Sequence, residues 1–176
     1  KVRPGGFTQV NPEVNLLLVK AILEETARLA PGPKTALDLY AGSGNISIPL
    51  TRSGFQVTAV EQAAEGLQAA RENAKGLNGL TFIGGQSEKV TLELARRGQA
   101  FRVTVLDPPR SGALNMAPLL AGLRPELILY VACHPAVLER DLPAFVSLGY
   151  GLEKLTAFDM FPRTSHLEAL AVLRAN

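Results

Sequence analysis

Apolar positions recur along the chain with two different periods, and the changes of period divide it into elements. Asn11-Pro12-Glu13 opens the first helix: Asn caps free amides, Pro suits the first helical position and Glu favours the positive end. Val14, Leu17, Leu18, Ala21, Ile22 and Leu23 follow at helical spacing, and Pro31-Gly32-Pro33 stops the run. Short apolar runs then predict buried strands over 35–40, 55–61, 80–84, 102–107 and 126–132. Helical stretches separate them, near 46–53, 63–76, 87–98, 115–123 and 135–148. Near-continuous apolar strands alternating with helices predict an α/β fold whose parallel sheet is covered on both faces. The last two runs, 152–161 and 166–175, read as strands joined by the short 162–165 link. They are expected to form an antiparallel hairpin, at one edge of the sheet or as an insertion.

Composition sets the scale. The 176 residues suit one domain, and 47% apolar against 19% charged residues give ample material for one core. No apolar run reaches about 18 residues and no charged-then-apolar leader opens the chain, so neither a membrane span nor a secretory leader is expected. The formal charge of +2 is too small to mark a polyanion binder by itself. One cysteine, Cys133, excludes an internal disulfide framework within these residues, and two histidines are too few for a zinc site without carboxylates. The first residue is Lys1, and residues 1–6 are polar with Gly and Pro. They read as the stub of a linker, which leaves 7–176 as the folded domain.

Candidate chemistry gathers where strands run into helices. Asp38-Leu39-Tyr40-Ala41-Gly42-Ser43-Gly44-Asn45 is such a junction, and ligands of open parallel sheets bind at these strand ends. Ser47 stands where a dinucleotide fingerprint requires its third glycine, and the acidic Asp38 is unfavourable to pyrophosphate. Glu61, ending the second strand, is placed to accept hydrogen bonds from a ribose. A nucleoside with a cationic, phosphate-free tail fits such a loop, as S-adenosyl-L-methionine does. Asp107-Pro108-Pro109-Arg110 brings a carboxylate to the same edge on a turn stiffened by two prolines. Amine methylation favours an aromatic residue where Arg110 stands; Arg110 instead suits a phosphate or carboxylate.

Cys133 lies just past the fifth strand, beside His134 and before Pro135 opens a helix whose positive end favours thiolate. His134 is read either as an assisting cation or as a surface residue. Glu168 stands in an apolar strand, opposite in facing to Leu167, Ala169 and Ala171. Burial of that carboxylate would raise its pKa, which suits a general base; a solvent-facing edge residue is the alternative.

Taken together, Phe7-Thr8-Gln9-Val10-Asn11 with Asn15, the Asp38–Asn45 loop, Val60-Glu61, Asp107-Pro108-Pro109-Arg110, Tyr130-Val131-Ala132-Cys133-His134-Pro135, Asp159-Met160-Phe161-Pro162 and His166-Leu167-Glu168 resemble the RNA 5-methyluridine (uracil-5-) methyltransferases. The resemblance runs from Phe7 to about Arg174. It implies a Rossmann-like class I methyltransferase fold using S-adenosyl-L-methionine, with Cys133 as nucleophile and Glu168 as base. Gln9, Tyr40, Asn45, Glu61 and Asp107 match cofactor-contacting positions, Gly42 belongs to the same loop, and Gln86 falls where the family usually has Asn or Asp. No metal is implied.

The implied reaction methylates carbon 5 of a uridine in transfer or ribosomal RNA, after Cys133 adds to carbon 6. Phe7 is a candidate stacking partner for the uridine. The family most often reads Ser-Cys-Asn-Pro where this chain has Ala132-Cys133-His134-Pro135, and Ala41 replaces a frequent cysteine. Family members generally carry an N-terminal RNA-binding domain, some with an iron–sulfur cluster, so a monomeric cytoplasmic enzyme with such a domain outside these residues is expected. The competing readings are another class I methyltransferase, acting on an exocyclic amine or small molecule, and a non-catalytic RNA-binding module.

Overall fold

The computed structural model describes residues 11–29, 31–160 and 167–176. Phe7 and Gln9, the 162–165 link and His166 lie outside the described residues.

Helix α1 spans Pro12–Ala27, with the Val14 amide donating to Asn11 Oδ1 at 3.2 Å. It ends before the proline pair, because the Thr26 hydroxyl donates back to the Leu23 carbonyl at 2.8 Å and the Arg28 amide turns onto Thr26. Strand and helix then alternate as the periodicity predicts: β1 Thr35–Leu39, α2 Ser47–Arg52, β2 Gln56–Glu61, α3 Ala64–Asn73, β3 Leu80–Gly84, α4 Ser87–Arg96, β4 Val103–Leu106, α5 Met116–Ala121, β5 Leu127–Ala132 and α6 Pro135–Val146. The hairpin is β6 Tyr150–Phe158 and β7 Glu168–Ala175. β6 begins two residues earlier than the apolar run because Tyr150 is itself buried, pairs with Ala175 and donates its hydroxyl to the Pro125 carbonyl at 2.9 Å.

The sheet order is β3-β2-β1-β4-β5-β7-β6. β1 to β5 are parallel, and β7 joins β5 antiparallel, so the second strand of the hairpin meets the sheet and β6 forms the edge. Alternating residues send one side of the sheet to each of two cores. Leu37, Leu39, Leu106 and Tyr130 pack with Leu94, Leu120, Leu138 and Phe145 from α4, α5 and α6. Ala36, Val103, Val105, Leu129 and Leu170 pack with Leu18 and Ile22 of α1 and Leu50 of α2.

Two consequences of this topology place the site. Chain order reverses between β1 and β4, which opens a crevice at the carboxyl ends of those strands. The β5–β7 register pairs Ala132 with Ala169, so the next step sets Cys133 opposite Glu168. Among the described residues, no helix is long and apolar enough to cross a membrane.

Candidate active site

The strand ends bring carboxylates together in a place poor in water. Asp38, on β1, is 1% exposed and takes the Ser47 hydroxyl on Oδ2, while its Oδ1 has no hydrogen-bond partner. Burial pushes its pKa up to about 7; Ser47 offsets part of that, and the nearby Glu61 adds to it. Asp107, just past β4, donates its amide to the Leu39 carbonyl at 3.4 Å. Its pKa is pushed up to about 8, by burial first and then by the charges of Glu168 and Asp38.

Beyond β1 the chain turns back on itself. Tyr40 adopts φ +63° and Gly42 φ +53°. No atom lies within 4 Å of where a Cβ on Gly42 would stand, so the loop presents bare backbone to open space. Glu61 secures this loop: Oε2 accepts from the Gly42 amide at 2.7 Å and Oε1 from the Ala63 amide at 2.6 Å. Each carboxylate oxygen still has acceptor capacity for a ligand hydroxyl. Asn73 adds a second tie, donating to the Ser43 carbonyl at 3.1 Å.

Other predicted contact residues are turned toward protein partners. The Asn45 and Asn15 side-chain amides donate to each other, both at 2.9 Å, and so lock the loop to α1. The Tyr40 hydroxyl donates to Glu88 Oε1 at 2.9 Å, reaching α4. Gln86 is exposed at the start of α4 and makes no capping bond. Gln9 is among the residues not described.

Cys133 is half-buried, and Glu168 is 5% exposed. Burial pushes the Glu168 carboxyl above its ordinary range. The thiol departs from expectation. Burial raises its pKa and Glu168 raises it further, against the opposing charge of Arg110 and a bond from the backbone; Asp107 adds to the rise. Desolvation and two carboxylates thus raise the thiol's pKa, where the helix that follows was expected to favour thiolate. His134 is exposed and is the N-cap of α6, with its Nδ1 accepting from the Ala136 amide at 3.3 Å.

The structure therefore brings Gly42, Glu61, Asp107, Cys133 and Glu168 to one rim, and adds Asp38, which the sequence reading used only to argue against pyrophosphate. It also adds Asp141 of α6, which lies at 0% exposure and accepts from the Ala113 amide at 2.8 Å. Its signal was present in the sequence: a charged residue three after Leu138 and four before Phe145, in the buried stripe of an amphipathic helix.

Comparison with known proteins bears on this arrangement. The profile of the tRNA (uracil-5-)-methyltransferase family matches residues 1–176. The chain belongs to this family. Among relatives, the 23S rRNA (uracil(1939)-C(5))-methyltransferase RlmD of Alkalilimnicola ehrlichii is 41% identical over 175 residues, covering 98% of this chain and 39% of that protein. The protein of the same description from Shewanella sp. strain ANA-3 is 40% identical over 174 residues, covering 96% of the chain and 37% of its own length. The domain thus spans well under half of these relatives. Among solved structures, the tRNA (uracil-54, C5)-methyltransferase of Pyrococcus abyssi, in complex with S-adenosyl-L-homocysteine, superposes with a TM-score of 0.82 at 30% identity, over 97% of this chain and 41% of that one. The fold of this chain is accordingly the S-adenosyl-L-methionine-dependent methyltransferase fold, with the antiparallel pair at its C-terminus.

Asp38 and Asp107 hold their protons more tightly in the folded chain than ordinary carboxyls near 3.8 do. Their contribution to stability is thus complete below about pH 4 and is lost as pH rises through about 7 and 8. Urea unfolding of the ligand-free chain is expected to show a lower midpoint at pH 9 than at pH 5. Asp107→Asn reduces that difference; a midpoint that rises with pH over this range contradicts the assignment.

Proposed function

We propose that this domain methylates carbon 5 of a uridine in RNA, using S-adenosyl-L-methionine. The higher identity to relatives named for 23S rRNA favours ribosomal RNA over transfer RNA. The observation that carries the reading is the β5–β7 register, which sets a half-buried thiol opposite a buried carboxylate at the ligand-binding edge.

The residues present fit the cofactor. Bare backbone at Gly42 offers a close approach, Glu61 retains acceptor capacity for ribose hydroxyls, and Asp38 and Asp107 supply negative charge to a sulfonium. Gln86 lies at the α4 end of the same rim. When bound, S-adenosyl-L-methionine supplies an electrophilic methyl group.

Carbon 5 of uracil is a weak nucleophile, and covalent catalysis answers this. Cys133, as thiolate, adds to carbon 6 and leaves an electron-rich enolate at carbon 5. Arg110 is the cation that offsets the rise in the thiol's pKa, so deprotonation depends on it. After the methyl group reaches carbon 5, Glu168 takes the carbon 5 proton and the Cys133 sulfur is expelled, restoring the 5,6 double bond. Burial makes the Glu168 carboxylate a stronger base than an exposed one. The uridine has to leave its stack to reach this edge, at a cost of roughly a few kcal/mol that is least for a loop nucleotide. A methyltransferase acting on an exocyclic amine has no use for the facing thiol and carboxylate.

Cys133→Ser is expected to abolish methylation and the gel-stable adduct with RNA carrying 5-fluorouridine; methylation at the wild-type rate excludes Cys133 as nucleophile. Glu168→Gln is expected to slow product release about 10²–10⁴-fold and to accumulate a methylated covalent RNA adduct, seen by mass spectrometry. Normal turnover by that variant removes Glu168 from the role of base. Affinity for S-adenosyl-L-methionine, measured by calorimetry, is expected to rise several-fold from pH 6 to pH 9 as Asp38 and Asp107 ionise. The neutral thioether S-adenosyl-L-homocysteine gains less, and equal gains for both ligands place the sulfonium away from these carboxylates.

A further inference from the structure

The buried stripe of α6 consists of Leu138, Asp141 and Phe145, and its charged member is not idle. Asp141 Oδ2 accepts from the Tyr130 hydroxyl at 2.6 Å and from the Ala113 amide at 2.8 Å. Its Oδ1 accepts from Arg140 Nε at 2.7 Å, and Arg140 Nη2 reaches across to the Ser111 carbonyl at 2.7 Å. Between these two anchors lies Gly112 at φ +77°. A Cβ there would stand 2.6 Å from Asp141 Oδ2 and 2.6 Å from Val137 Cγ1. Residues 111–113 are therefore pressed onto α6, with no room for a side chain at Gly112 and with both flanking backbone groups bonded.

Burial alone would raise the Asp141 carboxyl, but its bonds from Arg140, Tyr130 and Ala113 hold it below the usual range. Removing such a charge from water is costly, and apolar residues often replace a buried ion pair without loss of stability. The clamp therefore calls for a role in geometry. Its two ends show which. The clamped loop begins at Asp107-Pro108-Pro109-Arg110, at the end of β4, while α6 begins two residues after Cys133, at the end of β5. β4 and β5 are neighbours, with Leu106 paired to Tyr130. The two prolines restrict the backbone between Asp107 and Arg110, so fixing the loop at 111–113 also fixes the backbone from which the exposed Arg110 side chain springs.

We propose that Asp141, together with Arg140, is a positioning element that locks the 107–113 loop against α6 and so sets where Arg110, on the strand end next to that of Cys133, presents its charge relative to the thiol. It rests on Cys133 as the nucleophile, yet it is tested without methyl transfer. The charged groups bearing on the thiol are Glu168 from β7, Arg110 from the loop and Asp107 at the end of β4; Asp141 acts through Arg110 and not directly.

The test is the pH profile of Cys133 alkylation by iodoacetamide, followed on the Cys133 peptide by mass spectrometry. Asp141→Asn and Arg140→Ala are each expected to move the profile to higher pH and slow alkylation near pH 8 on the order of threefold to tenfold, tenfold corresponding to one pKa unit. Arg110→Ala is expected to do the same, and the Arg110→Ala/Asp141→Asn double variant to add nothing further, because both changes remove one interaction. Additive shifts, an unchanged profile or a move to lower pH would each overturn the proposal, the last by showing that the lost Asp141 charge acted on the thiol directly. Arg140 is half-exposed, so Arg140→Ala carries the test if Asp141→Asn fails to fold. Continued methylation by Cys133→Ser would remove the nucleophile reading while leaving the alkylation result standing.

Discussion

Asp38, Glu61, Asp107 and Glu168 approach one another at the carboxyl ends of the parallel strands, and the desolvation of these side chains governs much of the surrounding structure. Each is accommodated differently. Asp38 draws on Ser47 at the start of α2, Glu61 gathers two backbone amides, and Asp107 holds its proton more tightly through burial and the charge of Glu168. An assembly of this kind is unfavourable without a counter-charge, since like charges in a medium poorer in water than the surface repel strongly. The same imbalance is what a cationic ligand would relieve, so a site that costs the free domain stability favours binding.

Rigidity around the rim comes from bonds that the sheet alone does not provide. The Asn15–Asn45 pair fastens the loop after β1 to α1, Tyr40 fastens its start to α4, and Asp141 fastens the 107–113 loop to α6. Each joins a loop to a helix packed on the sheet. The loops thereby inherit the precision of the core, and a nucleophile, base and ligand loop are only useful at fixed separations.

Much of this was legible beforehand. Periodicity located every strand and helix of the described residues to within a few positions, because strands buried on both faces and amphipathic helices carry different repeats. Asn11 announced its cap, the spacing of Gly42 and Gly44 announced the turn, and the order of short motifs announced the family. The misreadings were of environment. Thiolate at Cys133 was inferred from the helix that follows it, but Glu168 lies far away in sequence and meets it only across the β5–β7 ladder. His134 was weighed as an assisting cation or a surface residue; it is exposed, and its role as the cap of α6 was not foreseen.

The chain's sequence by itself determined the α/β alternation, the candidate chemistry and the family, since these depend on residue types and local spacing. Tertiary structure decided which charges face one another and with what protonation. That depends on burial and on distances between residues 35 to 70 positions apart, such as Cys133 with Glu168 or Asp38 with Asp107. Solvation and Coulomb forces act through space, and no local reading of the chain contains them.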